Sequence, residues 1–500
     1  MNPADAAPAP PAPAQVCETH TGVVLLCGTR AYKAKKPLRT DFLDFSTPAL
    51  REQACARELA LNARLAPDVY LGVSNLDDPE GGPGEPVLIM RRMPQHRRLS
   101  ALLVANTVSA TDLAALVELL VGFHDQAPHG PDVDRAGTAD GVRGRWRTLL
   151  DPLRAAPADL VDPQLVDQLD HQAMRYLDGR AALFADRIAQ GRIVDGHGDL
   201  LAEHIFDLSD GFRVLDCLDF DDRLRYVDRL DDIAFLAMDF EFLGRPELAA
   251  QFLTNYLAAT DDPAPASLRN HYIAYRATVR AKVDLIRAGQ GDPAAAARLR
   301  NHLGIAARHL AAGAVRLTVI GGLPGTGKSA VAARLGERTG AVVLGSDHLR
   351  RQLAATGEVD GDIGRFGAGR YSAANKALVY DTLVDRARKL LARGIPVILD
   401  ASWTGEADRA RARTLAEEVH ADLVELRCVC PRDLAHERIR ARRGGESDAS
   451  VDTADAMAAA ATDWPDAVVV DTSGELTDSV AVAYATWCGP PTCPATASTA

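Results

Sequence analysis

The run "VIGGLPGTGKSAVAARL", residues 319–335, leaves a chain few ways to fold around it. It passes from an apolar β-type segment through a glycine-rich turn into an amphipathic helix. Gly322, Leu323, Pro324, Gly325, Thr326, Gly327, Lys328 and Ser329 match G-x-x-x-x-G-K-[ST] without a departure. Glycines let the backbone curl until successive N–H groups face phosphate oxygens. The start of the helix adds partial positive charge. Lys328 brings a point charge to the β- and γ-phosphates, and the Ser329 hydroxyl is placed to hold Mg²⁺. A loop of this kind predicts a strand–loop–helix unit at the carboxyl edge of a parallel sheet.

The surrounding sequence has the rhythm that this requires. Five apolar runs, "RLTVIGG", "AVVLGSD", "PVILDAS", "DLVELRCVC" and "AVVVDTSG", alternate with helical stretches such as 329–338 and 374–393. Continuous β-branched runs suit strands buried on both faces, and the intervening helices are long enough for crossovers. With 500 residues there is room for more than one core. Before residue 310 the pattern differs: a few short strand-like runs precede long helical ones. The division expected is a Pro/Ala-rich disordered tail at 1–15, a first domain at 16–312, a phosphate-loop domain at 313–475 and a C-terminal tail at 476–500.

Three further residues of the second half carry chemistry. Asp347, in "GSDHLRRQL", falls at the carboxyl end of a strand, where it can take the proton of an attacking hydroxyl. That reading is preferred to a helix N-cap. Arg350 and Arg351 follow and suit an anionic or polar acceptor. Asp400 closes "PVILD", where a carboxylate orients magnesium through water. "ERIRARR" offers Arg438, Arg442 and Arg443 as a charge-neutralising lid. No Gln or Asn is poised as in a GTPase switch. With these residues the half resembles the P-loop small-molecule kinases, among them the gluconate and shikimate kinase-like group and the polynucleotide-kinase/zeta-toxin group. That resemblance implies phosphoryl transfer from ATP to a metabolite hydroxyl.

The first half carries a different signature. "DGHGDLLAEHIF" contains His197-Gly198-Asp199, and "GFRVLDCLDFDDRLRYVDRLDDIAFLAMD" follows. The order H-G-D, strand–turn–strand, "LDFD" and "DDIA" resembles the aminoglycoside phosphotransferase/choline kinase superfamily, bilobal enzymes with a protein-kinase-like fold. The resemblance implies Asp199 as the catalytic carboxylate and Asp219 as the Mg²⁺ ligand, with Asp216 and Asp221 as substitutes. Asp232 is then a structural acid that steadies the loop. In "RAYKAKKPL", Lys33 or Lys35 contacts the nucleotide phosphates, Lys33 being preferred, and Glu58 pairs with it. His204 stands where this superfamily carries a metal-binding Asn. Imidazole suits softer metals, which admits Mn²⁺ beside Mg²⁺ at this site.

"AYKAKKPL…DFLDFST", "LNARLAPDVYLGV" and "DGHGDLLAEHIF" together resemble bacterial bifunctional proteins that fuse an aminoglycoside phosphotransferase-like kinase half to a P-loop, AAA-family ATPase or kinase half. The expectation is an ATP-dependent phosphotransferase with two nucleotide sites acting on a small-molecule hydroxyl acceptor. The alternative is a P-loop ATPase governed by a catalytically weak, ligand-sensing kinase-like domain. A net charge of −12 argues against general nucleic-acid or anionic-membrane binding. Without a long apolar run or a basic-then-apolar start, the cytoplasm is the expected location. Its reducing milieu suits the eight cysteines, none of them in a C-x-x-C pair. Arg276, Arg280 and Arg287 share a helix face, read as solvated rather than as an acceptor pocket. Trp403 is read equally as acceptor-flanking or as core.

Overall fold

The computed structural model describes residues 14–18, 21–39, 43–361, 367–441 and 449–489. The described chain forms two compact units. The first comprises residues 1–142, 187–264 and 272–305; the second comprises 143–186, 265–271 and 306–500.

The first unit opens with an antiparallel sheet. Its strands are β1 (Gln15–Glu18), β2 (Gly22–Cys27), β3 (Arg30–Lys35), β4 (Tyr70–Leu76) and β5 (Glu85–Arg91), in the order β1-β2-β3-β5-β4. A turn at Gly28-Thr29 joins β2 to β3, and the register puts Lys33 opposite Leu88 of β5. The helix Pro48–Asn62 packs beside β4 and β5, capped by the Thr47 hydroxyl with Pro48 at its first position. Two small antiparallel ladders follow: β6 (Ile193–Asp195) with β9 (Tyr226–Asp228), and the hairpin of β7 (Ile205–Leu208) with β8 (Gly211–Val214). Cys55, Val69, Tyr70, Leu88, Phe206, Leu208 and Leu215 share one core, which ties the sheet to the β7–β8 hairpin. The helix Arg229–Phe242 is buried along nearly its whole length and packs on the helix Pro246–Ala259 and on β9.

The second unit holds the parallel sheet expected from the five apolar runs. Its strands β10 (Arg316–Gly321), β11 (Val342–Gly345), β12 (Val397–Asp400), β13 (Asp422–Val429) and β14 (Val468–Asp471) lie in the order β11-β12-β10-β13-β14, all parallel. Only β10 and β12, at the centre, are buried on both faces. The edge strands β11 and β14 are largely exposed, and β13 alternates. Ile320, Val331, Leu335, Ile398, Leu426 and Val470 form the core beneath the phosphate-loop helix.

Three expectations change here. Residues 476–488, expected as part of a tail, form the helix Leu476–Cys488, because Val480 and Ala483 supply an apolar face that packs on the helix Lys328–Thr339. At the other end, β1 begins at Gln15, and residues 1–13 lie outside the described residues. The second unit also departs from the contiguous stretch 313–475. It takes in residues 143–186 and 265–271 because their polar side chains satisfy backbone groups under the sheet. Arg175 donates to Ala421 O at 2.8 Å, Arg180 to Val419 O at 2.7 Å, and Ser267 to Gly394 O at 2.7 Å. Among the described residues, no helix is long and apolar enough to cross a membrane.

Candidate active sites

In the second unit β10 ends at Gly321, and the loop turns directly into the helix Lys328–Thr339. At two of its glycines the backbone has no room for a side chain. A Cβ on Gly325 would sit 2.4 Å from Ala435 O, at a φ of +85° that favours glycine. A Cβ on Gly322 would sit 2.6 Å from the Thr326 hydroxyl and 2.7 Å from Cys428 O. Thr326 Oγ1 donates to Leu323 O at 2.7 Å, and Thr472 Oγ1 donates to Thr326 O at 2.6 Å, which clamps the loop from both sides. Gly322 N–H is spent on Ser402 O and Thr326 N–H on Leu323 O, and the glycines at 322 and 325 are required by contact as well as by conformation.

Asp400 ends β12, level with Ile320 of β10 and Gly345 of β11, and is buried. It therefore stands at the carboxyl edge beside the loop. Lys328 and Asp400 both act on the Cys428 thiol, which burial above all pushes up to about 12. Arg438 reaches the loop from the helix Arg432–Ala441; its guanidinium donates to Thr472 O at 2.8 Å and lies 3.7 Å from where a Gly327 Cβ would stand. Arg442 and Arg443 lie outside the described residues.

A cavity of about 310 Å³ opens next to the loop, with Lys328, Asp347, Arg350, Lys376, Tyr380 and Ser402 among its walls. Asp347 is not the N-cap that competed with its catalytic reading: Gly345 holds that position, and Asp347 lies in the first turn of the helix Ser346–Ala355. Its carboxylate pairs with Arg350, whose guanidinium stacks 4.4 Å over the Tyr371 ring. Trp403 does not flank the cavity as an open ring. It is buried, its indole donates to Leu399 O at 3.2 Å, and it packs edge-on against Tyr380. Lys376, Tyr380 and Ser402 escaped the sequence reading, since no local spacing marks them.

The first unit brings its expected residues together as well. Lys33 and Lys35 leave β3 on one face, and Glu58 of the helix Pro48–Asn62 takes both, at 2.7 Å and 2.6 Å. Lys33 also lies 3.5 Å from Asp216, and Lys35 lies 3.0 Å from Asp219. The choice between the lysines thus resolves into two parallel pairs on one buried glutamate. Burial acts against the charge of each lysine, but the carboxylates outweigh it and raise both pKa values.

Asp232 steadies the H-G-D loop by accepting the N–H groups of His197 at 2.7 Å and Gly198 at 2.9 Å, with His124 at 3.1 Å. Burial works to raise its pKa; these partners hold it well below the usual carboxylate range. His197 is pushed down to about 4 by burial, so it is neutral; it donates Nε2–H to Leu215 O and accepts the Asp199 N–H at Nδ1. Arg276 is structural, holding Asp231 at 2.7 Å and Gly198 O at 3.1 Å, and it is buried rather than solvated. Arg280 by contrast acts on the charge of Asp199 and of Asp239.

Asp199, His204 and Asp216 converge in front of this loop. His204 ends a 3₁₀ turn and donates Nδ1–H to Asp199 O at 3.0 Å, 3.7 Å from the Asp199 carboxylate. That orientation spends one ring nitrogen on the backbone. Asp216 has a φ of +58°, an unusual backbone for a non-glycine residue, held by its N–H to the Tyr70 hydroxyl at 3.3 Å and by Lys33. Burial tends to raise its pKa, but Lys33 and His204 bring it down to about 2. Asp219, named first from sequence, faces Lys35 instead, and Arg57 holds its carbonyl at 2.7 Å. Two positioning residues went unnoticed: Asn62 accepts the Cys217 N–H at 2.9 Å, and Arg64 donates to Asp195 O and Gly196 O.

Neither site gathers three metal-binding side chains among the described residues.

Residues 32–270 match the family model described as "Phosphotransferase enzyme family", and residues 317–463 match the model described as "AAA domain". Proteins of Mycobacterium tuberculosis H37Rv and Mycobacterium bovis, both described as uncharacterized, are each 47% identical over 472 residues, covering 94% of this chain and 95% of theirs. Among solved structures, a choline/ethanolamine kinase family protein from Mesorhizobium loti is 16% identical, covers 60% of this chain and 92% of its own, and has a TM-score of 0.37. A gluconokinase from Sinorhizobium meliloti is 20% identical, covers 34% of this chain and 89% of its own, and has a TM-score of 0.26.

Proposed function

The chain belongs to the family of these mycobacterial proteins, in which a phosphotransferase-family domain is joined to an AAA-type P-loop domain, and on that premise we propose that it moves the γ-phosphoryl group of ATP to a hydroxyl of a small-molecule acceptor. The observation that carries this reading is the adjacency of the phosphate cradle to a cavity walled by Lys328, Asp347 and Arg350. Residues 322–329 bind the phosphates through backbone amides, and Lys328 adds its charge. Asp347 accepts the proton of the acceptor hydroxyl, while Arg350 orients both that carboxylate and a polar acceptor. Arg438 offsets negative charge at the loop as the phosphoryl group transfers. Ser329 and Asp400 would hold Mg²⁺, which when bound neutralises phosphate charge.

The first unit carries a second nucleotide site in this reading. Lys33 engages phosphate and Glu58 aligns it. Asp199 receives the acceptor proton. Asp216, rather than Asp219, supplies the metal-facing carboxylate, because it shares its surroundings with His204 and Lys33. His204 orients Asp199 through the backbone. A second reading of this unit, as a slow, ligand-sensing module, is favoured by an imidazole standing where an amide would offer a hard oxygen, with one ring nitrogen already spent on the Asp199 carbonyl.

Labelled-ATP transfer to a panel of hydroxyl metabolites tests both readings on the full chain. Lys328→Ala should abolish transfer at the second site, and Asp199→Ala should abolish a separate acceptor activity. If Lys328→Ala removes all transfer and Asp199→Ala alters only the response to ligand, the sensing reading holds. Absence of ATP binding by the full chain in magnesium buffer sinks both.

A further inference from the structure

The second unit contains another cavity, of about 240 Å³, at the opposite edge of its sheet from the phosphate loop. Its walls include Gly313–Val315, which lead into β10, and Asp422, which starts β13. The phosphate loop follows the far end of β10. Six residues at roughly 3.3 Å each put about 20 Å of strand between the two. A ligand here cannot share chemistry with a nucleotide at Lys328.

The cavity is built around a charge that no carboxylate contacts directly, Asp422 acting on it only at a distance. Arg180 is 1% exposed. Its Nη1 donates to Gly179 O at 2.8 Å and to Val419 O at 2.7 Å. Its Nε is buried without a hydrogen-bond partner, and among the described residues no carboxylate forms an ion pair with it. Burial pulls its pKa down to about 10. The neighbouring Arg175 differs, because Asp422 lies 3.3 Å from it and balances it. His271 also lines the space. The Trp146 indole can only donate, so its 3.1 Å bond makes His271 Nε2 an acceptor and leaves the ring hydrogen on Nδ1. Burial pushes that imidazole down to about 3, so it is a neutral donor. The wall therefore offers one net positive charge with polar donors around it, and no carboxylate beyond the one Arg175 already engages.

A guanidinium buried without an opposing charge is costly, and an anion supplied from outside removes that cost. With Nη1 tied to carbonyls and Nε sealed from solvent, the rest of the guanidinium on the cavity wall remains to meet an oxyanion. We propose that this cavity is a binding site for a small oxyanion, borne on a phosphate- or carboxylate-containing metabolite, with Arg180 as its counter-charge. The site lies apart from the phosphate loop of the same unit and does not depend on the kinase reading of either unit. A ligand there touches the residues that lead into β10, the strand that ends in the phosphate loop.

Calorimetric titration of the full chain carrying Lys328→Ala, which lowers phosphate binding at the loop, tests the proposal. Inorganic phosphate and succinate serve as separate probes and distinguish the two sources of oxyanion. At least one should bind with saturation at one equivalent. Arg180→Gln should weaken it tenfold or more. Gln172→Trp, at the half-buried rim, should do the same by filling the space, and it decides the matter if Arg180→Gln fails to fold. Binding of neither probe, or binding that survives Gln172→Trp unchanged, overturns the proposal.

Discussion

His204 donates its Nδ1–H to the backbone oxygen of Asp199 across 3.0 Å, and the imidazole stands 3.7 Å from that residue's carboxylate. Burial disfavours charge on the ring, but Asp199, Asp216 and Glu203 outweigh it and raise its pKa. Below that raised pKa the imidazolium repels a divalent cation; above it the repulsion disappears. Metal-dependent nucleotide binding at the first unit should therefore strengthen as pH rises through and above the ordinary imidazole range, by roughly tenfold per unit while the ring is still charged. His204→Asn should flatten that dependence. Titrating a nonhydrolysable ATP analogue into the Lys328→Ala chain across this range gives the answer, and an identical slope in both variants rules the role out.

Gly325 faces Ala435 O so closely that an added Cβ would lie 2.4 Å from it, on a backbone at φ +85°. Gly325→Ala should cost about 1–3 kcal/mol of stability. It should also weaken nucleotide binding at the second unit by more than tenfold, because the loop amides lose their common direction. Thermal melting with and without ATP reports both effects. A variant that melts and binds like the parent shows that the cradle relaxes easily.

The phosphate loop, the five strands and the H-G-D loop were legible because each writes its requirement into adjacent residues: glycines at fixed offsets, apolar runs, a charged triplet before a hairpin. The partner of Asp199 was harder. Asp216 and Asp219 both follow β8 within a few residues, and the sequence does not record which lysine each meets: Asp216, on a positive-φ backbone held by Tyr70, reaches Lys33, while the less exposed Asp219 reaches Lys35. Long-range partners were invisible for a related reason. Asn62 reaches Cys217, and Arg180 reaches Val419, across sequence separations that no periodicity records. The helix Leu476–Cys488 went unread because its alanine-rich face resembles the low-complexity stretch that follows it.

Asp239 is a carboxylate the sequence did not single out. It accepts the Ala202 N–H at 2.8 Å, close to Glu203 and His204. Burial raises its pKa to about 6, with the Ala202 N–H and Arg280 opposing. Because the folded value exceeds the unfolded one, the folded state prefers the protonated acid. The stabilising contribution of that proton is complete below the unfolded pKa and fades as pH rises through about 6. Asp239→Asn keeps an acceptor for Ala202 and cannot ionise. It should stabilise the protein by about 2 kcal/mol near pH 8 and have little effect near pH 4. Chemical denaturation at both values checks this, and an equal effect at the two would assign the change to packing instead.

Asp347 and Arg350 form an ion pair on one wall of the cavity beside Lys328, and they should separate chemistry from binding. Asp347→Asn retains the shape and a hydrogen-bond acceptor for Arg350 but cannot take a proton. If Asp347 is the base, kcat for acceptor phosphorylation should fall by about 10²–10⁴-fold while the KM for ATP changes little. Arg350→Met should act mainly on the acceptor, raising its KM, because the methionine still packs on Tyr371 and no longer holds a polar group. Steady-state kinetics with both substrates varied distinguishes the two roles. A kcat unchanged in Asp347→Asn would move the base to another group in the same wall, with the Tyr380 and Ser402 hydroxyls, 3.3 Å apart, the next to replace.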